Sequence, residues 1–171
     1  DHSRYVLTCT AQRAVTTALV IAAFRQAVAA HGIPASVLSD NGLVFTARHR
    51  GGRNKFQNEL ERPHIAQKNS RPSHPQTCGK VERVQQTLKK WLAGRPPAAT
   101  LADLQTLLDT WAEHYNTARP HRSLSGRTPD QALALGARVL VTSEPRPRSW
   151  LGAPIFAGQI ALGAIVLQDF A

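Results

Sequence analysis

The chain has 171 residues, with 21 Lys and Arg against 11 Asp and Glu, for a net charge of +10. That length gives one domain, or one domain with a tail, and the charge asks for a polyanionic partner. Two cysteines, Cys9 and Cys78, form no Cys-x-x-Cys pair and no disulfide framework, and no signal peptide opens the chain, which reads as cytoplasmic.

Residues 4–10 alternate β-formers and predict a strand. Thr16 or Thr17 caps a helix to about residue 30, with Val20, Ala23, Phe24, Ala27 and Val28 as its apolar stripe. Gly32 stops it and Pro34 prevents continuation. Residues 36–39 make a short buried strand that ends at Asp40. The stretch 45–54 is Gly- and Arg-rich and reads as a loop, followed by a short helix over 55–62 and a strand over 65–68. Residues 69–77 hold two prolines and many small polar residues, a second loop.

A helix over 79–93 places Val81, Val84, Leu88 and Trp91 on its inner face, and Gly94 and Pro96 end it. Thr100 with Asp103 forms a capping box for the next helix, which carries Leu101, Leu104, Leu107, Leu108, Trp111 and Tyr115. Thr128, Pro129, Asp130 and Gln131 start a last short helix closed by Gly136. After Glu144 the pattern changes: an uncharged run covers 150–168, long enough for a membrane span but weakened by Pro154, Gln159 and its glycines. We read 136–171 as an atypical tail, frameshifted or disordered, behind a first unit over 1–135.

Two acids stand out. Asp40 lies where an apolar run turns into Asn41 and Gly42, and Glu82 lies one turn into an amphipathic helix. Hard oxygen donors on two elements suit Mg²⁺ (or Mn²⁺) handling phosphate. The segment 46–100 carries twelve Lys and Arg against three acids, and it spans most of the 41 residues between this pair. Glu82, Gln86 and Lys89 fall at i, i+4 and i+7, one helix face that suits a strand of DNA crossing it. Lys80, Arg83 and Lys90 read as general phosphate contacts, which add affinity without sequence specificity. His74 and Cys78 have a metal-like spacing, but two further ligands are not evident.

In order, the chain has Asp-His-Ser-Arg-Tyr at 1–5, Ser-Asp-Asn-Gly at 39–42, Asn-Ser-Arg-Pro-Ser-His-Pro-Gln-Thr at 69–77, Gly-Lys-Val-Glu-Arg at 79–83 and Tyr-Asn-Thr-Ala-Arg-Pro-His at 115–121. This ordered set resembles the integrase-like DDE catalytic core of bacterial insertion-sequence transposases. The resemblance implies an α/β, ribonuclease-H-like mixed sheet flanked by helices. It implies DNA cleavage and strand transfer with two metal ions, Asp40 and Glu82 as metal ligands, transposon ends and target DNA as partners, and a homo-oligomer. It places Arg71, His74 and Gln76 beside the active site and the DNA end, and it makes Lys89 the expected basic contact. Arg119 and His121 are further candidates for DNA contact.

The family uses three acids, and its first Asp lies on a strand upstream of the segment similar to 1–5. By that resemblance Asp1 is a turn residue, the first two strands are missing, and the edge beside the Asp40 strand is left open. The reading is then an inactive fragment. A non-catalytic basic DNA-binding remnant is the alternative.

Overall fold

In the computed structural model the described residues are 2–47, 51–62, 64–69, 79–135 and, for the backbone alone, 155–161. The chain divides into two compact units, one built mainly from Val15–Cys78 with a later segment, the other from Asp1–Ala14 with Gly79–Gly136.

In the first unit, helix α1 (Thr17–His31) starts where the Thr16 hydroxyl accepts from the Leu19 N–H and ends at Gly32, whose φ of 97° turns the chain sharply. Gly32 suits that turn because it has no Cβ to clash. Strand β1 (Ile33–Ser39) begins three residues earlier than expected and takes in Pro34. Every residue of β1 except Ala35 is buried, the near-continuous burial of a parallel strand covered on both sides. Helix α2 (Lys55–Glu61) carries the chain to β2 (Ala66–Asn69), which pairs parallel with β1 from Ser36 opposite Ala66 to Ser39 opposite Asn69. A parallel pair needs such a crossover, and α2 supplies it.

The core here is Phe24, Val28, Ile33, Val37, Phe45, Phe56, Leu60 and Ile65. Phe56 meets the rings of Phe24 and Phe45 edge-on at 5.7 and 5.9 Å. One charge lies inside this packing: Glu59 is 5% exposed. Its two carboxylate oxygens accept from Nε and Nη2 of Arg25 at 2.7 and 2.8 Å, a bidentate pair that ties α2 to α1.

The third strand, β3 (Ile155–Ala161), falls inside the stretch read as an atypical tail. It pairs parallel with β1 from Ile33 opposite Ile155 to Leu38 opposite Ala161, with an irregularity between Pro34 and Ser36. The sheet order is therefore β2-β1-β3. The expected open edge beside the Asp40 strand is thus not found, because the tail covers it. Among the described residues no helix is long and apolar enough to cross a membrane.

In the second unit, α3 (Gly79–Ala93) packs on α4 (Leu101–Thr117) through Leu88, Leu104, Leu108, Trp111 and Tyr115, with Val84 and Trp91 beside them. The Thr100–Asp103 capping box opens α4 as expected. A 3₁₀ turn (Arg122–Leu124) and α5 (Pro129–Ala134) follow, and the Thr128–Gln131 box caps α5. Helix α5 ends at Ala134 with Leu135 as its cap, while Gly136 lies outside the described residues.

Residues 4–10 form no strand. Their backbone instead pairs with two side-chain amides of α4. Asn116 accepts from the Val6 N–H at 2.9 Å and donates to the Val6 carbonyl at 3.0 Å. Gln105 accepts from the Ala11 N–H at 2.8 Å and donates to the Cys9 carbonyl at 3.0 Å. The two amides are eleven positions apart on α4, about 16 Å along a helix. The five residue steps from Val6 to Ala11, when extended, span about the same length. A side-chain amide carries both donor and acceptor groups, so it satisfies backbone groups as a neighbouring strand does. Cys9 sits in this contact. Burial, then the nearby Asp109 carboxylate, push its thiol pKa up to about 11, so it stays protonated and poorly nucleophilic.

Candidate metal and DNA-binding site

Asp40 follows the buried end of β1 and is itself exposed. Its Oδ1 accepts from the Gly42 N–H at 2.8 Å, an Asx turn that fixes the carboxylate and leaves Oδ2 for a cation. A Cβ on Gly42 would lie 2.9 Å from Asp40 Oδ1, so glycine is the residue that lets this turn close. The turn continues with the Phe45 and Thr46 N–H groups donating to the Gly42 carbonyl.

Strand β2 holds this corner from below. Ser39 is fully buried, and its hydroxyl accepts from Gln67 and Asn69 at 3.3 and 3.4 Å. Asn69 also donates to the Asp40 carbonyl at 3.2 Å, and Gln67 donates to the Phe45 carbonyl at 2.9 Å. These two amides escaped the reading of the sequence. Alternation in a short strand does not say which polar side chain reaches across to a neighbouring turn.

Gly42→Ala should therefore disturb the carboxylate without unfolding the unit. We expect Mn²⁺ affinity at Asp40 to fall several-fold while the melting temperature moves by only a few degrees. Unchanged affinity, followed by titration, would mean that the Asx turn does not set the ligand.

Glu82 lies in the first turn of α3, exposed and without an ion-pair partner among the described residues. A carboxylate there is favoured by the helix dipole. Only Leu88 of α3 is buried. Lys80, Arg83, Gln86, Lys89 and Lys90 are all exposed, so the face expected to meet DNA is open to it. Burial, then the Arg4 charge, lower the Lys80 pKa. Arg95 is different: its guanidinium stacks 3.2 Å over Trp91 and donates to the Trp91 carbonyl, which commits it to the helix end. Arg119 is exposed just past α4. Arg71, His74, Gln76 and Cys78 lie outside the described residues.

Asp40 and Glu82 belong to different compact units. Among the described residues, no group of three or more His, Cys, Asp or Glu gathers at one point. The two carboxylates are hard, exposed donors, which fits Mg²⁺ or Mn²⁺ and not a soft metal.

The parallel sheet with helices around it is a ribonuclease-H-like fold. Residues 61–129 match the family model described as integrase core domain. The matched span contains Glu82, Lys89 and Arg119 but not Asp40. The catalytic core domain of BIV integrase is 25% identical, with a TM-score of 0.58 over 78% of this chain and 80% of that one. The catalytic core domain of HTLV-2 integrase, solved with magnesium, is 24% identical, with a TM-score of 0.51 over 71% of this chain and 72% of that one. An intasome of simian T-cell lymphotropic virus, solved with the B56 gamma regulatory subunit of PP2A, gives 20% identity and a TM-score of 0.56, over 80% of this chain and 46% of that one.

Proposed function

We propose that this chain is the catalytic-core segment of a DNA transposase of the insertion-sequence type. It acts in DNA integration and recombination as a homo-oligomer on transposon ends and target DNA, in the bacterial cytoplasm at the nucleoid. Asp40 and Glu82 each serve as a ligand for two-metal Mg²⁺ (or Mn²⁺) chemistry. Such chemistry activates the attacking oxygen and stabilises the leaving one in cleavage and strand transfer. Lys89 and Gln86 guide the DNA strand along α3. Arg71, His74 and Gln76 touch the DNA end, while Lys80, Arg83, Lys90 and Arg119 hold phosphates.

The observation that carries this reading is the pinned, exposed Asp40 carboxylate at the end of the central strand, together with a helix Glu82 inside the integrase-core match.

Metal binding tests it directly. Mn²⁺ titration should broaden the amide signals of Asn41, Gly42 and Arg83, and Asp40→Asn or Glu82→Gln should abolish the broadening at both places. At ten times its dissociation constant the ion should stabilise the fold by about 1.4 kcal/mol, read as a shift in thermal melting. Broadening that survives in both variants removes the metal assignment. The net charge of +10 supports a second reading, a basic DNA-binding chain with no metal site. Salt-sensitive DNA binding without any Mn²⁺ response would favour it.

A further inference from the structure

Arg4 has a φ of 62°, in the left-handed region, where a non-glycine residue is uncommon. Such positions persist when the surroundings hold them, and they cluster at binding sites. Two residues further on, Val6 is clamped by both groups of the Asn116 amide. Asn116 is the neighbour of Tyr115, so the clamp fixes the Arg4 segment beside the last turn of α4. From that turn Arg119 folds back, its guanidinium 5.7 Å from the Tyr115 ring centre. The Tyr115 ring meets the His121 ring nearly edge-on at 5.0 Å. The Nε2 of His121 is buried with no hydrogen-bond partner among the described residues. Such groups are few in folded proteins and call for a partner.

The electrostatics agree with the geometry. Burial lowers the His121 pKa, and the charges of Arg119 and Arg4 lower it further. Burial raises the Tyr115 pKa, while the same two guanidinium groups oppose that rise. No carboxylate contributes to either shift among the described residues. Among the described residues, the charges of Arg4 and Arg119 thus act on this aromatic corner with no carboxylate offsetting them.

We propose that Arg119, beside the Tyr115 ring, and Arg4, whose segment the Val6 clamp holds at the same end of α4, form a phosphate clamp for the backbone of bound DNA, in addition to Asp40 and Glu82. This rests on the DNA-binding reading above and adds a site on the face where the chain's first residues meet α4. A guanidinium pair suits a phosphodiester because each fork donates to its oxygens in a fixed plane. The clamp reads no bases, so it positions DNA and does not select its sequence.

The test is the salt dependence of binding to a short DNA duplex, with the intact chain. Each lost phosphate contact lowers the slope of log affinity against log salt by about 1. The double variant Arg4→Asn and Arg119→Gln should lower it by about 2, alike for unrelated sequences. Asn suits the positive φ, so the fold is kept, and a circular dichroism melt checks it. In the unaltered chain, bound DNA should also raise the NMR titration midpoint of His121, because the phosphate offsets the two cations that face it. An unchanged slope in the double variant, with Lys89→Gln still lowering it, overturns the clamp and leaves the DNA reading standing. No duplex binding by the unaltered chain overturns both. Should the double variant not fold, a His121 midpoint that ignores DNA overturns the clamp.

Discussion

Trp111→Ala should destabilise the helical unit by about 3–5 kcal/mol, the range for emptying a buried aromatic site. Trp111 is 2% exposed and stands between Leu88 of α3 and Leu104, Leu108 and Tyr115 of α4. Its ring lies 5.0 Å from that of Tyr115. Removing it leaves a cavity that α3 and α4, the latter held by its Thr100–Asp103 cap and by the Val6 and Ala11 clamps, can close only in part. Whole domains are stable by about 5–15 kcal/mol, so the loss is a large share. Urea unfolding followed by far-ultraviolet circular dichroism would measure it. Trp111→Phe should cost clearly less, because most of the volume and the ring contact remain. Equal losses for Ala and Phe would mean that the indole is held by something other than packing. The consequence reaches the proposed site, since α3 carries Glu82, Gln86 and Lys89 on its outer face and depends on this core for its position.

Ending the chain after residue 154 should have an effect of similar size on the other unit. The cut removes β3 and leaves β1 with a free edge from Ile33 to Leu38, the span it now pairs. Strand β1 is buried nearly throughout, and an exposed apolar edge strand is a template for pairing with another copy. The shortened chain should lose its cooperative melt and form soluble oligomers or precipitate, read by light scattering and size-exclusion chromatography. A monomer with the original melting temperature would show that β3 adds no stability. The sign of this prediction is the reverse of the one the sequence invites. An uncharged stretch behind Pro145, Arg146, Pro147 and Arg148 reads as a foreign end, yet it supplies the strand that closes the sheet.

The contrast between these units follows the range of the interactions. The helix starts were legible because caps are local: Thr16, Thr100 with Asp103, and Thr128 with Gln131 each act within three residues. The stop at Gly32 was legible for the same reason. The short helix over 55–61 was found, though its box between Asn54 and Gln57 was not used to find it. Asp40 and Glu82 could be picked out as candidates because a strand-end Asp before Asn and Gly, and a Glu in an amphipathic helix, are patterns of a few residues each.

What the sequence by itself determined was therefore the order of helices and short strands, the basic surface, and Asp40 and Glu82 as the pair to test. The tertiary structure alone decided that residues 4–10 lie along α4 and not in a sheet. It decided that Gln67 and Asn69 brace the Asp40 turn, that Asn116 clamps Val6, and that 155–161 pairs with β1. The reason is physical. A cap or a turn gains its hydrogen bonds from neighbours in sequence, so its residues announce it. The partners of Val6 and Ile33 lie more than a hundred positions away, and only the packed chain brings them together.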